Sequence, residues 1–128
     1  MTQTMRSPSP APALTVGLDV GDRHTQLCVL DREGQTCEVA RIATTPAAFA
    51  YRFQTQPRLR IVLETGTHSP WIDRQLRTWG HETIVANARR LRLISENVVK
   101  SDHVDAETLA RLGRLDPQLL APIQHRQA

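Results

Sequence analysis

Apolar residues in this chain come in short runs and helix-spaced stripes, punctuated by proline, glycine and charge. Thr15 to Val20 is an almost unbroken apolar run, the pattern of a short strand buried on both faces. Thr25 to Leu30 and Gln35 to Ala43 predict two more strands, joined as a hairpin through Asp31-Arg32-Glu33-Gly34. Thr45-Pro46 is a helix-start signal, because threonine caps and proline tolerates the first turn, where no donor is needed. Phe49 and Phe53, four apart, give that helix a buried edge, and Pro57 ends it. Arg60 to Glu64 predicts a strand, followed by the loop Thr65-Gly66-Thr67-His68. Ser69-Pro70 repeats the cap-and-proline signal, with Ile72, Leu76 and Trp79 on one helical face and Gly80 as the stop. Glu82 to Ala86 predicts a last strand, and Asn87 to Ile94 a helix. A final helix is expected to begin at Ser101 or Asp102, with Ala106, Leu109 and Leu112 on its apolar side.

The predicted order is β-β-β-α-β-α-β-α-α. A three-strand meander followed by strand–helix alternation implies a mixed α/β sheet with helices on both faces. Right-handed crossovers set the fourth and fifth strands beyond the first, giving the spatial order 3-2-1-4-5. This is the ribonuclease H-like arrangement, in which strands one and four are neighbours.

Composition narrows the reading only modestly. The 128 residues allow one domain, expected at 15–116 between a disordered tail at 1–14 and a linker at 117–128. Met1 to Leu14 is Pro-, Ser-, Thr- and Ala-rich and lacks the apolar core of a signal peptide, and no stretch approaches the ~20 apolar residues of a membrane span. A cytoplasmic protein without membrane contact is the expectation. Net charge is +3, and of the 16 cationic residues only Lys100 is a lysine, a balance suited to polyanions because guanidinium forks match phosphate, or one set by a gene composition that favours arginine codons. If the hairpin turn is Asp31-Arg32-Glu33-Gly34, antiparallel register sets Leu30 opposite Gln35 and Cys28 opposite Cys37. Two reduced thiols rather than a disulfide are expected there.

Four carboxylates carry the candidate chemistry. Asp19 interrupts the apolar run Val16-Gly17-Leu18-Asp19-Val20-Gly21, and Glu64 closes Ile61-Val62-Leu63-Glu64. Strand interiors disfavour acids, and a buried carboxylate is costly unless something neutralises it. Asp102 and Asp105 lie three apart at the predicted helix start, where they would share one helical face. A two-metal phosphodiester-cleaving site needs such a set, since Mg²⁺ prefers oxygen ligands and relieves the repulsion among them. Each residue also has a plainer reading: Asp102 and Asp105 as an N-cap and its third helical position, Asp19 as a turn cap, Glu64 as a strand-end charge.

The segments Val16-Gly17-Leu18-Asp19-Val20, Val62-Leu63-Glu64-Thr65-Gly66, Asn87-Ala88-Arg89-Arg90 and Lys100-Ser101-Asp102-His103-Val104-Asp105-Ala106-Glu107 resemble the N-terminal, RuvC-like domain of the DEDD transposases of bacterial insertion sequences. The likeness runs from about Thr15 to Arg126. It implies metal-dependent DNA strand cleavage and transfer, with Asp19, Glu64, Asp102 and Asp105 as catalytic ligands of Mg²⁺ or Mn²⁺. It further implies DNA and a structured guide RNA as partners, and a homo-oligomer for the full-length protein. Family members continue through a helical linker into a second domain carrying a serine implicated in strand transfer, whereas this sequence stops soon after Pro122, so either a truncated gene or a fragment of a longer protein is expected.

Other residues are candidates for nucleic-acid contacts, each with a plainer reading beside it: Lys100 for a phosphate or as a solvated loop lysine, Arg89, Arg90 and Arg92 for the backbone or as a solvated helix face, and Thr65 and Thr67 for close approach to a phosphate or as part of a plain tight loop. His68 and His103 flank acidic positions, where they could help proton transfer, but an exposed polar role is the expectation for them. Trp71 and Trp79 have the spacing of core residues. Two rivals remain open. Gly17-Leu18-Asp19-Val20-Gly21 also resembles the first phosphate loop of actin-like sugar kinases, which leaves Asp102 and Asp105 unexplained. A non-catalytic domain that binds nucleic acid or a full-length partner is the other.

Overall fold

In the computed structural model of the chain, residues 12–98 and 104–125 are described, with main chain alone for 95–98. The elements are β1 (Thr15–Val20), β2 (His24–Leu30), β3 (Thr36–Ala43), α1 (Pro46–Phe53), β4 (Arg60–Glu64), α2 (Ser69–Thr78), β5 (Glu82–Ala86), α3 (Ala88–Val98) and α4 (Ala106–Leu115), then a 3₁₀ turn at Pro117–Leu120. The sheet runs β3-β2-β1-β4-β5, the order expected from the sequence. β2 lies antiparallel to both its neighbours, and β4 parallel to both of its own. Among the described residues no helix is long and apolar enough to cross a membrane.

Strand alternation divides the core into two layers. Val16, Leu18, Leu27, Val29, Ile61 and Leu63 face one side, where they meet Phe49 and Phe53 of α1 and Ile72 and Leu76 of α2. Thr45 caps α1, its side chain accepting from the Ala48 N–H, and both phenylalanines are fully buried with ring centroids 5.8 Å apart. Trp71 and Trp79 pack against this layer, as their spacing suggested. On the opposite side Val62, Ile84 and Ala86 meet Leu91 of α3 and Leu109 of α4, while Cys28 and Leu30 meet Ala106 and Ala110.

α4 lies unusually close to the sheet because small residues face each other. Ala106, Leu109, Ala110 and Gly113 form its buried stripe. A Cβ on Gly17 would stand 2.0 Å from the Ala106 carbonyl oxygen, and one on Gly113 would stand 2.3 Å from a Val62 methyl. Two arginines tie the far end of α4 to the β2–β3 turn: Arg111 donates to the Gly34 carbonyl at 3.1 Å and Arg114 to the Arg32 carbonyl at 3.1 Å.

Four expectations are corrected. Leu30 pairs with Thr36 and Val29 with Glu38, so Cys37 is the extra residue of a β-bulge and Cys28 pairs with Val39. One added residue turns a side chain to the other face. Cys28 is therefore buried, with burial pushing its thiol pKa up, while Cys37 is exposed, and both thiols are free. The final helix begins at Ala106 with Asp105 as its N-cap, accepting from the Thr108 N–H at 2.9 Å, rather than at Ser101 or Asp102. Asp105 thus precedes the helix, with extended backbone (φ −80°, ψ 174°), instead of sitting in its first turn.

The other two corrections concern the chain ends. Leu14 packs against the core and its carbonyl accepts from the Arg60 N–H, so the fold starts one residue before Thr15. Beyond Asp116, Leu120 is fully buried, its carbonyl accepts from Asn87 N–H, and Ile123 bridges Val85. That stretch packs back on the fold and bridges the outer edge of β5 at Val85 instead of trailing as a linker.

His81 pins the α1–β4 connection. Its Nδ1 accepts from the Leu59 N–H at 3.1 Å, and its Nε2 donates to the Phe53 carbonyl at 2.8 Å. These two bonds satisfy buried backbone groups at the end of α1 and the start of β4 that have no ladder partner in common.

Candidate functional site

The parallel register sets Leu18 beside Leu63, so the next residues, Asp19 and Glu64, leave neighbouring strands about 4.8 Å apart at the main chain. Asp19 has the parity of Gly17 and Glu64 that of Val62, so both carboxylates emerge on the face covered by α4. Both are half-buried and line one cavity of about 270 Å³. It lies at the C-terminal ends of the two parallel strands, where the chain turns one way into β2 and the other way into α2, the place where open α/β sheets form ligand sites.

The walls come from three segments. Val20 ends β1 and Asp22 lies in the turn after it, Thr65 to His68 form the β4–α2 loop with Ser69 opening α2, and Val104 and Leu109 belong to the α4 region. The β4–α2 loop is held firmly: the Ser69 hydroxyl donates to the Gly66 carbonyl at 2.9 Å and accepts from the Gly66 N–H at 3.1 Å. Thr65 N–H donates to the Ala86 carbonyl, and the Thr65 Oγ1 accepts from Ala88 N–H at 3.3 Å. The start of α3 is thereby fastened beside the cavity.

Of the predicted site residues, the fold brings Asp19 and Glu64 together. Asp105 is exposed and is not a cavity-lining residue, although its neighbour Val104 is one. Its capping bond occupies one carboxylate oxygen. Asp102, Lys100 and His103 lie outside the described residues. Among the described residues no three His, Cys, Asp or Glu side chains converge closely enough to form a metal-holding group. Thr65 and Thr67 line the cavity, Thr65 doubling as the anchor of α3. Arg89, Arg90 and Arg92 are exposed on α3, with Asn87 capping that helix through the Arg90 N–H.

Two wall residues carry more structure than the sequence signalled. His68, expected as an exposed polar side chain, sits in the wall between Trp71 and Asp22. The spacing of His68 and Trp71 across a helix start was a legible hint, whereas nothing in the sequence marked Asp22.

The sequence model of the DEDD transposases of the IS110 type, described as transposase, matches residues 16–128. The chain belongs to the DEDD transposase family. Its mixed five-stranded sheet is the ribonuclease H-like fold of that family, and the matched span includes every strand and helix described above but for Thr15, the first residue of β1. For a DEDD transposase the substrate is DNA, the activity is of the nuclease or recombinase kind, and divalent metal is in general use. No curated protein matches the chain.

Proposed function

We propose that this chain is the RuvC-like catalytic domain of an insertion-sequence transposase, with Asp19, Glu64, Asp102 and Asp105 as the ligands of Mg²⁺ or Mn²⁺ in DNA strand cleavage and transfer. The observation that carries the reading is the pair Asp19 and Glu64, which share one cavity at the ends of adjacent parallel strands. The donor chemistry fits the group, since half-buried carboxylate oxygens side by side repel one another and suit a hard dication. When bound, the metal supplies charge neutralisation at the attacking and leaving oxygens of an in-line phosphoryl transfer. The protein's own part is to hold the carboxylates in place: Asp19 and Glu64 on the sheet, and Asp105 at the tip of α4, which the Gly17 contact seats against β1.

Arg89, Arg90, Arg92 and Lys100 would follow the nucleic-acid backbone, with Thr65 and Thr67 approaching a phosphate. Arg89 and Arg90 lie in the first turn of α3, which has no acidic residue. Cations there oppose the helix dipole, and a bound polyanion would relieve that opposition. A guide RNA, a homo-oligomeric full-length protein and a cytoplasmic setting complete the proposal, on family resemblance.

Titration with Mg²⁺ or Mn²⁺ while following thermal unfolding tests the metal site. At about 100 times the dissociation constant, stability should rise by ~2.7 kcal/mol, a melting shift of roughly 10 °C. A flat titration removes the metal reading. For the basic helix, DNA affinity should fall steeply with salt, and Arg89→Ala and Arg90→Ala should each lower the log–log slope by about 1. Unchanged slopes would show that these arginines face solvent only.

A further inference from the structure

The proposed chemistry leaves two cavity residues without a task, His68 and Asp22. The indole N–H of Trp71 donates to His68 Nδ1 at 3.0 Å. An indole nitrogen only donates, so the imidazole proton sits on Nε2, which donates to Asp22 Oδ1 at 3.2 Å. Trp71 is itself held edge-on against the buried Phe49 ring, with centroids 5.3 Å apart. The donor is therefore built into the fold. Its acceptor is not: the Asp22 side chain is 94% exposed, on the β1–β2 turn, and can leave at little cost.

A fixed N–H beside two proposed metal ligands, satisfied by a replaceable carboxylate, is the arrangement expected where another anionic oxygen is to be received. We infer that His68 contacts the substrate directly, donating its Nε2–H to a non-bridging phosphate oxygen of the nucleic-acid strand, and that Asp22 occupies this hydrogen bond in the free protein. The inference rests on the nucleic-acid reading above. A phosphate oxygen offers the same charge-assisted acceptor as the carboxylate, and its charge repels Asp22, so strand entry and Asp22 departure belong to one event. Trp71 is then a positioning residue, acting only through the imidazole it orients.

The test is a double-mutant cycle on binding of a short fluorescein-labelled DNA, with Ca²⁺ in place of Mg²⁺ so that binding is read without cleavage. His68→Phe should bind about tenfold more weakly, the loss of one hydrogen bond to a charged group. Asp22→Ala should bind several-fold more tightly, because the competitor is gone. In the His68→Phe background that gain should shrink, since there is no longer a donor to free. Trp71→Phe, which keeps the packing on Phe49 and removes the indole N–H, should fall between wild type and His68→Phe, and His68→Gln should recover part of the affinity.

An Asp22→Ala gain of the same size with and without His68 would reduce the effect to general electrostatics and overturn the inference. So would wild-type affinity in His68→Phe. Should His68→Phe not fold, Asp22→Ala and His68→Gln decide the matter, because Asp22 is exposed and glutamine retains a donor; no change in either overturns it. Absence of DNA binding by the wild-type chain would instead remove the nucleic-acid reading, and this inference with it.

Discussion

Asp19→Asn is expected to fold as the parent does, to lose the divalent-metal shift in thermal unfolding, and to reduce metal-dependent DNA cleavage by more than about 100-fold. That factor is the upper range for disturbing a partner one shell further from a metal, so losing a proposed direct ligand should exceed it. Asparagine has the shape of aspartate, and the half-buried position at the end of β1 accepts it without repacking. Glu64→Gln should behave in the same way, because the two carboxylates line one cavity. Calorimetry with and without Mn²⁺, beside a cleavage assay, reads all three quantities. A full metal shift in Asp19→Asn would show that the cation binds elsewhere.

Gly17→Ala is expected to produce the largest loss of stability. The added carbon would stand 2.0 Å from the Ala106 carbonyl oxygen and 2.6 Å from the Ala110 nitrogen, both backbone atoms of α4. No rotamer change relieves a clash with backbone, so the helix must move off the sheet. Overpacking typically costs 1–3 kcal/mol, and a clash of this kind belongs at about 3 kcal/mol or above, a melting decrease of roughly 12 °C. Because Asp105 caps that helix, its displacement should also weaken metal binding in whatever fraction remains folded. Ala110→Gly is the control, since it removes a side chain from the same contact without adding one. An unchanged melting temperature in Gly17→Ala would mean that α4 is not seated as tightly as this contact requires.

The strands were legible because alternation and unbroken apolar runs survive whatever surrounds them. Asp19 and Glu64 stood out for the same reason, as acids where a strand favours apolar residues. The hairpin register was not legible. The bulge at Cys37 depends on how the Asp31 turn closes, where the Asp31 carboxylate accepts from the Glu33 and Gln35 N–H groups and Gly34 takes a positive φ of 87°. The start of α4 was equally hidden, since Ser101, Asp102 and Asp105 are all competent caps. Contact of Ala106 with Gly17 selects the last of them. His68 was misjudged because its two partners come from different segments, Asp22 from a turn far earlier in the chain and Trp71 from α2.

What the amino-acid order determined by itself was the succession of strands and helices, the sheet order those connections allow, and the two acids that do not belong on strands. Only the tertiary structure decided that a cavity opens where β1 and β4 end, that His68 and Asp22 join its wall, and that Asp105 caps α4, whose first residue Ala106 meets Gly17. Periodicity is written locally, in the spacing of neighbouring residues. Which distant side chains meet depends instead on how closely the layers can approach, and here a glycine opposite two alanines sets that distance.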